Sequence, residues 1–522
     1  MVRSLVTHRN VFLLGLAGFC FGLSISVFVI SVSQFLLAAN WLVSRDFSAK
    51  WDRLKSNRAV WAIWAFFLLH VIGLFYSTDL QYGLDDVRKK LPLLLMPLFI
   101  GSEKRISQNE LNSIFFILTS GIVVSTGISH FKYFQNSIVI GYDVRDAFVF
   151  VPPIRLGLIM DLSISWLITI LSRKRERFFI KVLALLTLLY LLFTLIHLQL
   201  ITALVVLPFA LLFGLGFSGQ LSSTLLKVRS IIMIVLVVLI AGALFKVYEV
   251  AKPFLDFKPA QMGELEDISP SNNMYLHQYE NQMLENGNQV WIYIDDKAVR
   301  REWNKRSAHD FDGQGNTGEP IRATLYRYMT SKNLRKDMNG MKMLNDQDIY
   351  AVEHGITNIK YADNKSIEKR LYATIWELNN YFHKAGSNEG YSFARRLEFW
   401  KTGLQATSGS LIFGAGTGDV RLKMNKQYDK NQTQLSENAR LKPHNQFITT
   451  SLALGLTGLL LLLLCFLVAL KTHKLTSYHI AFVVIILLSF LTEDTIEGQV
   501  GASLFSGFYA LFFCQAKSEI EN

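Results

Sequence analysis

Three residues of this 522-residue chain combine a chemically active side chain with a place at an apolar boundary. Arg155 opens one apolar run, His444 begins another, and Arg396 lies 48 positions before His444. Arginine presents a planar fork of donors that matches phosphate oxygens in pairs and never loses its charge. Histidine exchanges a proton near neutral pH. Together they suit a lipid-linked anion whose tail lies in a bilayer and whose phosphates lie at the interface. The arginines would hold a diphosphate leaving group while the imidazole activates an incoming hydroxyl. Each residue alone says little, because an arginine at a span end is usually an interface anchor and a histidine before a span is often a cap.

The elements that must position them are apolar. Hydrophobic residues make up 51% of the chain and mean hydropathy is +0.28. The distribution decides the class: many nearly uncharged runs of roughly 15–20 apolar residues recur, the length that crosses a hydrocarbon core. The chain reads as an all-α polytopic membrane protein. The net charge of +12 sits in short loops between apolar runs, as the positive-inside rule expects, so no nucleic-acid partner is needed to explain it. Cys20, Cys465 and Cys514 all fall in apolar runs, which predicts neither a structural disulfide nor a metal site. The first apolar run leads straight into a second, without the small-residue cleavage site of a signal peptide.

Residues 11–43 are too long for one span and have Arg3, Arg9, Arg45, Lys50 and Arg53 on their flanks, which predicts two spans joined near Gly22–Ser26. Further spans are expected at 59–76, 91–101, 111–129, 156–171, 182–197, 200–217 and 230–246, then at 446–470, 479–491 and 502–514. That makes about twelve transmembrane helices with both termini cytoplasmic. Residues 1–246 carry helices 1–9, 247–443 form a large, polar, α-rich outer domain or loop, 444–514 carry helices 10–12, and 515–522 form a cytoplasmic tail. Lys104, Arg105, Arg173, Lys174, Arg175, Lys471 and Lys474 mark the cytoplasmic loops, and 131–154 an outer loop. Within the polar region, 366–382 reads as an amphipathic helix with Ile367, Leu371, Ile375, Trp376 and Leu378 on its apolar face. Arg88, Lys89 and Lys90 break the charge rule by falling outside, which gives that cluster a functional reading. On this topology Arg155, Arg396 and His444 share the outer face.

Other features are weaker. Gly414–Asp419 is a glycine-rich turn, but no Lys-Ser/Thr follows, so it is no phosphate-binding P-loop. His70 and Asp161 fall inside spans, where ionisable groups are functional candidates by default or simply pair within the bundle.

Taken together, these motifs resemble the O-antigen ligase family, which includes O-antigen polymerases and bacterial O-oligosaccharyltransferases. His444-Asn445 is followed after nine residues by Gly455-x-x-Gly458; Arg396 precedes Trp400 by four; Gly414–Asp419 supplies the Gly-x-Gly-x-Gly-Asp turn; Ile154–Leu158 opens a middle span; and Leu491-Thr492-Glu493-Asp494 precedes Glu497 and Gln499. The resemblance implies a GT-C-like, metal-independent, inverting glycosyltransferase of the bacterial inner membrane, with its active site on the periplasmic face and no cofactor. The donor would be an undecaprenyl diphosphate-linked glycan. The acceptor would be lipid A-core, another glycan or a protein, and membrane lipids would surround the site. Catalysis would rest on His444, Arg396 and Arg155, and substrate binding on Arg395, Trp400, Asn445, Gly416, Arg88, Lys89, Glu493 and Asp494. Where many members carry Ser-Arg before a middle span, this chain reads His197-Leu198-Gln199-Leu200. About 150 residues precede the Arg-Trp motif in the polar region, more than a compact ligase needs. The competing classes are a transporter of lipid-linked sugars, which should show an inverted repeat and polar residues at the membrane midplane, and a scaffold built on the outer domain. No repeat is visible.

Overall fold

The computed structural model describes residues 7–136, 144–217, 223–361, 367–383, 392–433, 435–472 and 475–516. Arg3, Lys474, residues 137–143 of the expected outer loop and residues 517–522 of the tail lie outside the described residues. The regular secondary structure of the described residues is almost all helical. It divides into two compact units, one of Met1–Gln135, Val144–Ile240 and Glu398–Asn522, the other of Asn136–Asp143 and Ala241–Leu397.

The helices run in order as α1 (His8–Ile25), α2 (Val27–Val43), α3 (Phe47–Lys55), α4 (Arg58–Ile72), α5 (Leu80–Lys90), α6 (Pro92–Gly101), α7 (Gln108–Asn136), α8 (Pro153–Ser172), α9 (Phe178–His197), α10 (Ile201–Phe217) and α11 (Ser223–Leu255). A short hairpin of β1 (Leu284–Glu285) and β2 (Asn288–Gln289) precedes α12 (Asp296–Asn304), α13 (Ile321–Ser331), α14 (Met338–Lys342), α15 (Asp346–Glu353) and α16 (Ile367–His383). The chain closes with α17 (Ser392–Thr407), α18 (Val420–Lys430), α19 (Gln446–Thr472), α20 (Ser477–Thr492) and α21 (Gln499–Phe513).

A helix falls on every stretch expected to span. Among the described residues, six are long and apolar enough to cross a membrane unaided, within α1, α7, α8, α9, α11 and α19. α4, α10, α20 and α21 are apolar but shorter. Phe178, Phe193, Leu244 and Phe245 on α9 and α11 are more than half exposed, an arrangement that needs an apolar solvent. The chain is a multi-pass membrane protein. Two boundaries differ from expectation: α7 continues past 129 to Asn136, and the segment after Ser77 is not a plain loop but holds α5. α5 alternates buried Asp86 and Lys90 with exposed Leu84 and Arg88, an interfacial rather than spanning pattern.

In the first unit, α1 packs on α2, α10 on α20, α21 on α6 and α19 on α4. α1 and α2 meet as an antiparallel pair because Gly15 and Gly22 bring the backbones close; a Cβ on Gly22 would lie 2.8 Å from the Ile30 nitrogen. Phe115 stacks on Trp166 at 5.3 Å and on Phe512 at 6.1 Å, joining α7, α8 and α21. One end of this bundle gathers basic residues: Arg9 bonds Glu110 and the carbonyls of Lys104 and Arg105, and Arg53 bonds the Ser102 carbonyl at 2.7 Å. The other end carries the starts of α8, α19 and α21 and the end of α20.

The second unit has its own cores. One gathers Trp303, Phe311, Tyr326 and Met329; another gathers Phe254, Leu284, Tyr372, Ile375 and Trp376. α16 begins and ends within one residue of the expected helix, but its buried face centres on Tyr372, Ile375 and Trp376, with Leu378 only half-buried. The tyrosine belongs to that face because its hydroxyl reaches the buried Glu285 carboxylate, 3.0 Å away.

The sharpest feature of the bundle is a break in α19. Gly455 has φ +65 and ψ −160, a region essentially restricted to glycine. The opened turn receives the preceding loop: Ala415 N–H donates to Leu452 O at 2.8 Å, Gly416 N–H to Ala453 O at 2.9 Å, and Leu456 N–H to Leu411 O at 2.8 Å. A Cβ on Gly455 would lie 2.3 Å from Ile412 O. Gly455→Ala is therefore expected to cost at least about 1–3 kcal/mol from backbone strain alone, read as a lower unfolding midpoint of the detergent-purified protein. Gly409→Ala, whose Cβ meets nothing within 4 Å, should leave the midpoint unchanged.

Candidate functional site

The site is built around a buried acid. Glu497 sits on a 3-10 turn, Thr495–Glu497, between α20 and α21. It accepts from Lys90 Nζ at 3.0 Å and Lys442 Nζ at 3.2 Å through one oxygen, and from Gln446 Nε2 at 3.2 Å through the other. Lys90, fully buried, also holds Asp86 Oδ2 at 2.5 Å. Two lysines and two carboxylates thus balance, as buried charges require. Burial works against the charge on Glu497, but Lys90 and Lys442 outweigh it and hold the carboxyl well below its ordinary range. The Gln446 carboxamide completes the joint by accepting from Ile496 N–H at 2.8 Å. One cluster therefore pins α5, the start of α19 and the α20–α21 connection together.

His444 is seated by this joint. Its φ is +50, uncommon for a residue other than glycine. Its backbone N–H donates to Asp494 Oδ2 at 3.2 Å, while Thr449 Oγ1 donates to Asp494 Oδ1 at 2.8 Å. Burial, with Glu497 nearby, pushes Asp494 above the usual carboxylate range. Asn445 caps α19 by accepting from Ile448 N–H at 3.1 Å, and ties it to α20 by donating to Leu491 O at 3.0 Å. The Phe399 ring lies 5.9 Å from the imidazole.

The functional edge faces the half-exposed groups. His444 Nδ1 lies 3.8 Å from Glu493 Oε2, with both side chains partly open to solvent. Glu493 also interacts electrostatically with Arg155. The Arg155 guanidinium lies against the backbone at Gly498, where a Cβ would come within 3.0 Å of Nη2. The result is an ordered row of imidazole, carboxylate and guanidinium at one end of the bundle. Such a row can take a proton, steady the imidazolium that forms, and bind an anion beside it.

The structure thus brings together His444, Asn445, Glu493, Asp494 and Arg155. Arg88 and Lys89 lie on the more exposed face of α5 and pair with Asp85 at 2.6 and 2.5 Å. Gly416 serves packing: a Cβ there would meet Ser77 Oγ at 2.5 Å. The adjoining Asp419 caps the start of α5 by accepting from Thr78 and Asp79 N–H at 2.9 Å. Trp400 is half-buried, and its indole N–H has no partner among the described residues. Arg395 and Arg396 lie in the first turn of α17, in the second unit, half-buried and each engaged. Sequence reasoning missed Asp86, Lys442 and Gln446. The i, i+4 placement of Asp86 and Lys90 on an amphipathic helix is the signal that points to the first.

A family model described as O-antigen ligase matches residues 354–463. The matched segment takes in Arg396, Trp400, the glycine-rich turn, His444, the break in α19 at Gly455, and Gly458. No match to a curated protein was found. The match is a likeness to the O-antigen ligase family over 110 of the chain's 522 residues.

Removing one member of a buried ion cluster strands its partners, at about 3–5 kcal/mol. Glu497→Gln is therefore expected to lower the unfolding midpoint strongly at pH 7. Because the folded state depresses this carboxyl, its contribution is present above the ordinary glutamate value of 4.5 and fades as pH falls below it. The gap between wild type and variant should accordingly narrow below about pH 4.5, measured by thermal unfolding across pH.

Proposed function

We infer that this O-antigen ligase-like chain transfers a glycan from undecaprenyl diphosphate to an acceptor hydroxyl, most directly lipid A-core, on the periplasmic face of the bacterial inner membrane. The observation that carries the reading is the row His444–Glu493–Arg155 at one end of an apolar helical bundle. The basic residues gathered at the opposite end favour placing that end in the cytoplasm, with twelve crossings and both termini inside, and residues 247–443 outside.

The acceptor oxygen attacks the anomeric carbon as its proton passes to the His444 imidazole. The bond from that carbon to the diphosphate breaks, and the electron pair leaves with the diphosphate. Arg155 holds the departing charge, with Arg396 as a second fork and Arg395 as its alternate. The Glu493 carboxylate, 3.8 Å from the ring, stabilises the imidazolium. A single displacement inverts the anomeric centre, and the arginines neutralise the leaving group without a metal. Arg396 and Trp400 stand one helical turn apart on α17, so the cation and the indole share a face.

In a null strain of the native host, wild type should restore long-chain lipopolysaccharide and His444→Ala should not, while the variant protein accumulates normally. Arg155→Lys should also fail, because a point charge does not reproduce a bidentate fork. Full lipopolysaccharide with either variant would overturn the assignment. A surviving single-repeat band would make the enzyme a polymerase, and loss of sugar from glycoproteins alone would make the acceptor a protein.

A further inference from the structure

Toward the basic end of the first unit, α7, α8 and α9 leave a groove of about 670 Å³ between them. All three helices are long and apolar enough to cross a membrane. Trp166, Leu167 and Ile170 of α8 form the buried floor. Trp166 is held there by stacking on Phe115, 5.3 Å away. The walls stand apart because small residues line them. Ser113 and Ser120 lie two turns apart on one face of α7, and Ala184 and Thr187 line the groove from α9. Phe116 and Val124 on α7, with Ile180 and Leu183 on α9, line it and are exposed, so the groove opens to an apolar solvent.

Its polar atoms are already engaged. Ser113 Oγ donates to Asn109 O at 3.1 Å, Ser120 Oγ to Phe116 O at 2.9 Å, and Thr119 and Thr187 Oγ1 to the carbonyls of Phe115 and Leu183 at 2.8 and 2.9 Å. Gln108 Nε2 donates to Asn112 Oδ1 at 3.1 Å. Hydroxyls that bond back within their own helix leave a lining that is apolar in effect. A sugar or a peptide backbone would lose its hydrogen bonds there, whereas a hydrocarbon chain loses none. From Asn112 to Val124 α7 rises roughly 18 Å, close to one leaflet of a ~30 Å hydrocarbon core. The much longer undecaprenyl chain would outrun a groove of that depth. Charge narrows the lipid further. Glu176 lines the groove at its basic end and lies in Arg173-Lys174-Arg175-Glu176-Arg177, four cations around one acid. Arg173 pairs with Glu176 at 3.6 Å, while Lys174, Arg175 and Arg177 are exposed. That excess attracts an anionic headgroup.

We propose that this groove holds one acyl chain of an anionic phospholipid whose phosphate lies on the α8–α9 loop. This lipid site stands whether or not the chain transfers a glycan. Its test is native mass spectrometry of the delipidated full-length protein in detergent, titrated with phosphatidylglycerol or phosphatidylcholine of the same acyl chains. Wild type should bind one phosphatidylglycerol at least tenfold more tightly than phosphatidylcholine. Arg175→Gln with Arg177→Gln should reduce that preference about tenfold, the scale of one or two cations at an anionic surface. Ser120→Trp, which fills the groove, should weaken phosphatidylglycerol binding by a similar factor. Val124→Trp, at an exposed position, gives the same readout if Ser120→Trp lowers the unfolding midpoint. Equal binding of the two lipids by wild type, or a preference untouched by the arginine pair, overturns the proposal. Phosphatidylglycerol binding that survives both groove-filling variants would put the lipid on the loop surface alone and overturn the chain assignment. Tighter capture of undecaprenyl phosphate than of phosphatidylglycerol would make the groove a carrier-lipid site and overturn it as well.

Discussion

The candidate site depends on one compensated charge. Glu497 is buried between two helix ends, and nothing in an apolar bundle would tolerate it alone. Lys90 and Lys442 approach it from α5 and from the segment before α19, 3.0 and 3.2 Å away. The cost of burying these ions is met only while all of them stay together, so the three segments cannot drift independently. His444 stands two residues beyond Lys442 and donates its backbone N–H to Asp494, three residues before Glu497. Its position is thus tied to the charge cluster through that backbone contact. That distinction separates residues that hold the geometry from the half-exposed His444, Glu493 and Arg155.

A second constraint comes from backbone, not charge. The two glycine motifs, far apart in sequence, are one device. Gly455 opens α19, and the Gly414–Gly416 turn fills the opening with its own N–H groups, so amide groups freed by the break are satisfied within the bundle. Thr417 then bonds the His70 carbonyl at 2.7 Å, and Asp419 accepts from Thr78 N–H at the start of α5. The loop therefore clamps α4, α5 and α19, the elements that carry or support the charge cluster. Groups freed in a membrane-embedded helix need such partners, because lipid supplies none.

Much of this was legible in the sequence, and the limits are physical. Apolar run length and basic flanks placed a helix on every expected span, because hydropathy over twenty residues is a strong signal. Part of the candidate row was legible: His444 and Arg155 stand at span starts, where polar residues are conspicuous, whereas Glu493 and Asp494 entered only through the family resemblance. Lys90 is conspicuous too, but in sequence it reads as one of an outer cluster with Arg88 and Lys89. Only the helical register of α5 sends Lys90 inward and leaves its neighbours on Asp85. Gly416 looked like part of a ligand loop because glycine serves close approach of any kind, to a phosphate or to a neighbouring helix, and sequence does not say which. In α16, the apolar pattern named Leu378 where the fold buries Tyr372, since a tyrosine hydroxyl becomes a core group only when a partner such as Glu285 is present.

The central claim is a division of labour: Arg155 binds the departing diphosphate and His444 serves the acceptor. Retention of undecaprenyl diphosphate by the purified protein in nanodiscs measures this most directly, because it reads donor binding without turnover. The account predicts that wild type and His444→Ala retain the lipid equally, while Arg155→Ala loses it by a factor of ten or more, the scale of one charged bidentate contact. Equal retention by Arg155→Ala and wild type, or loss with His444→Ala alone, would contradict it.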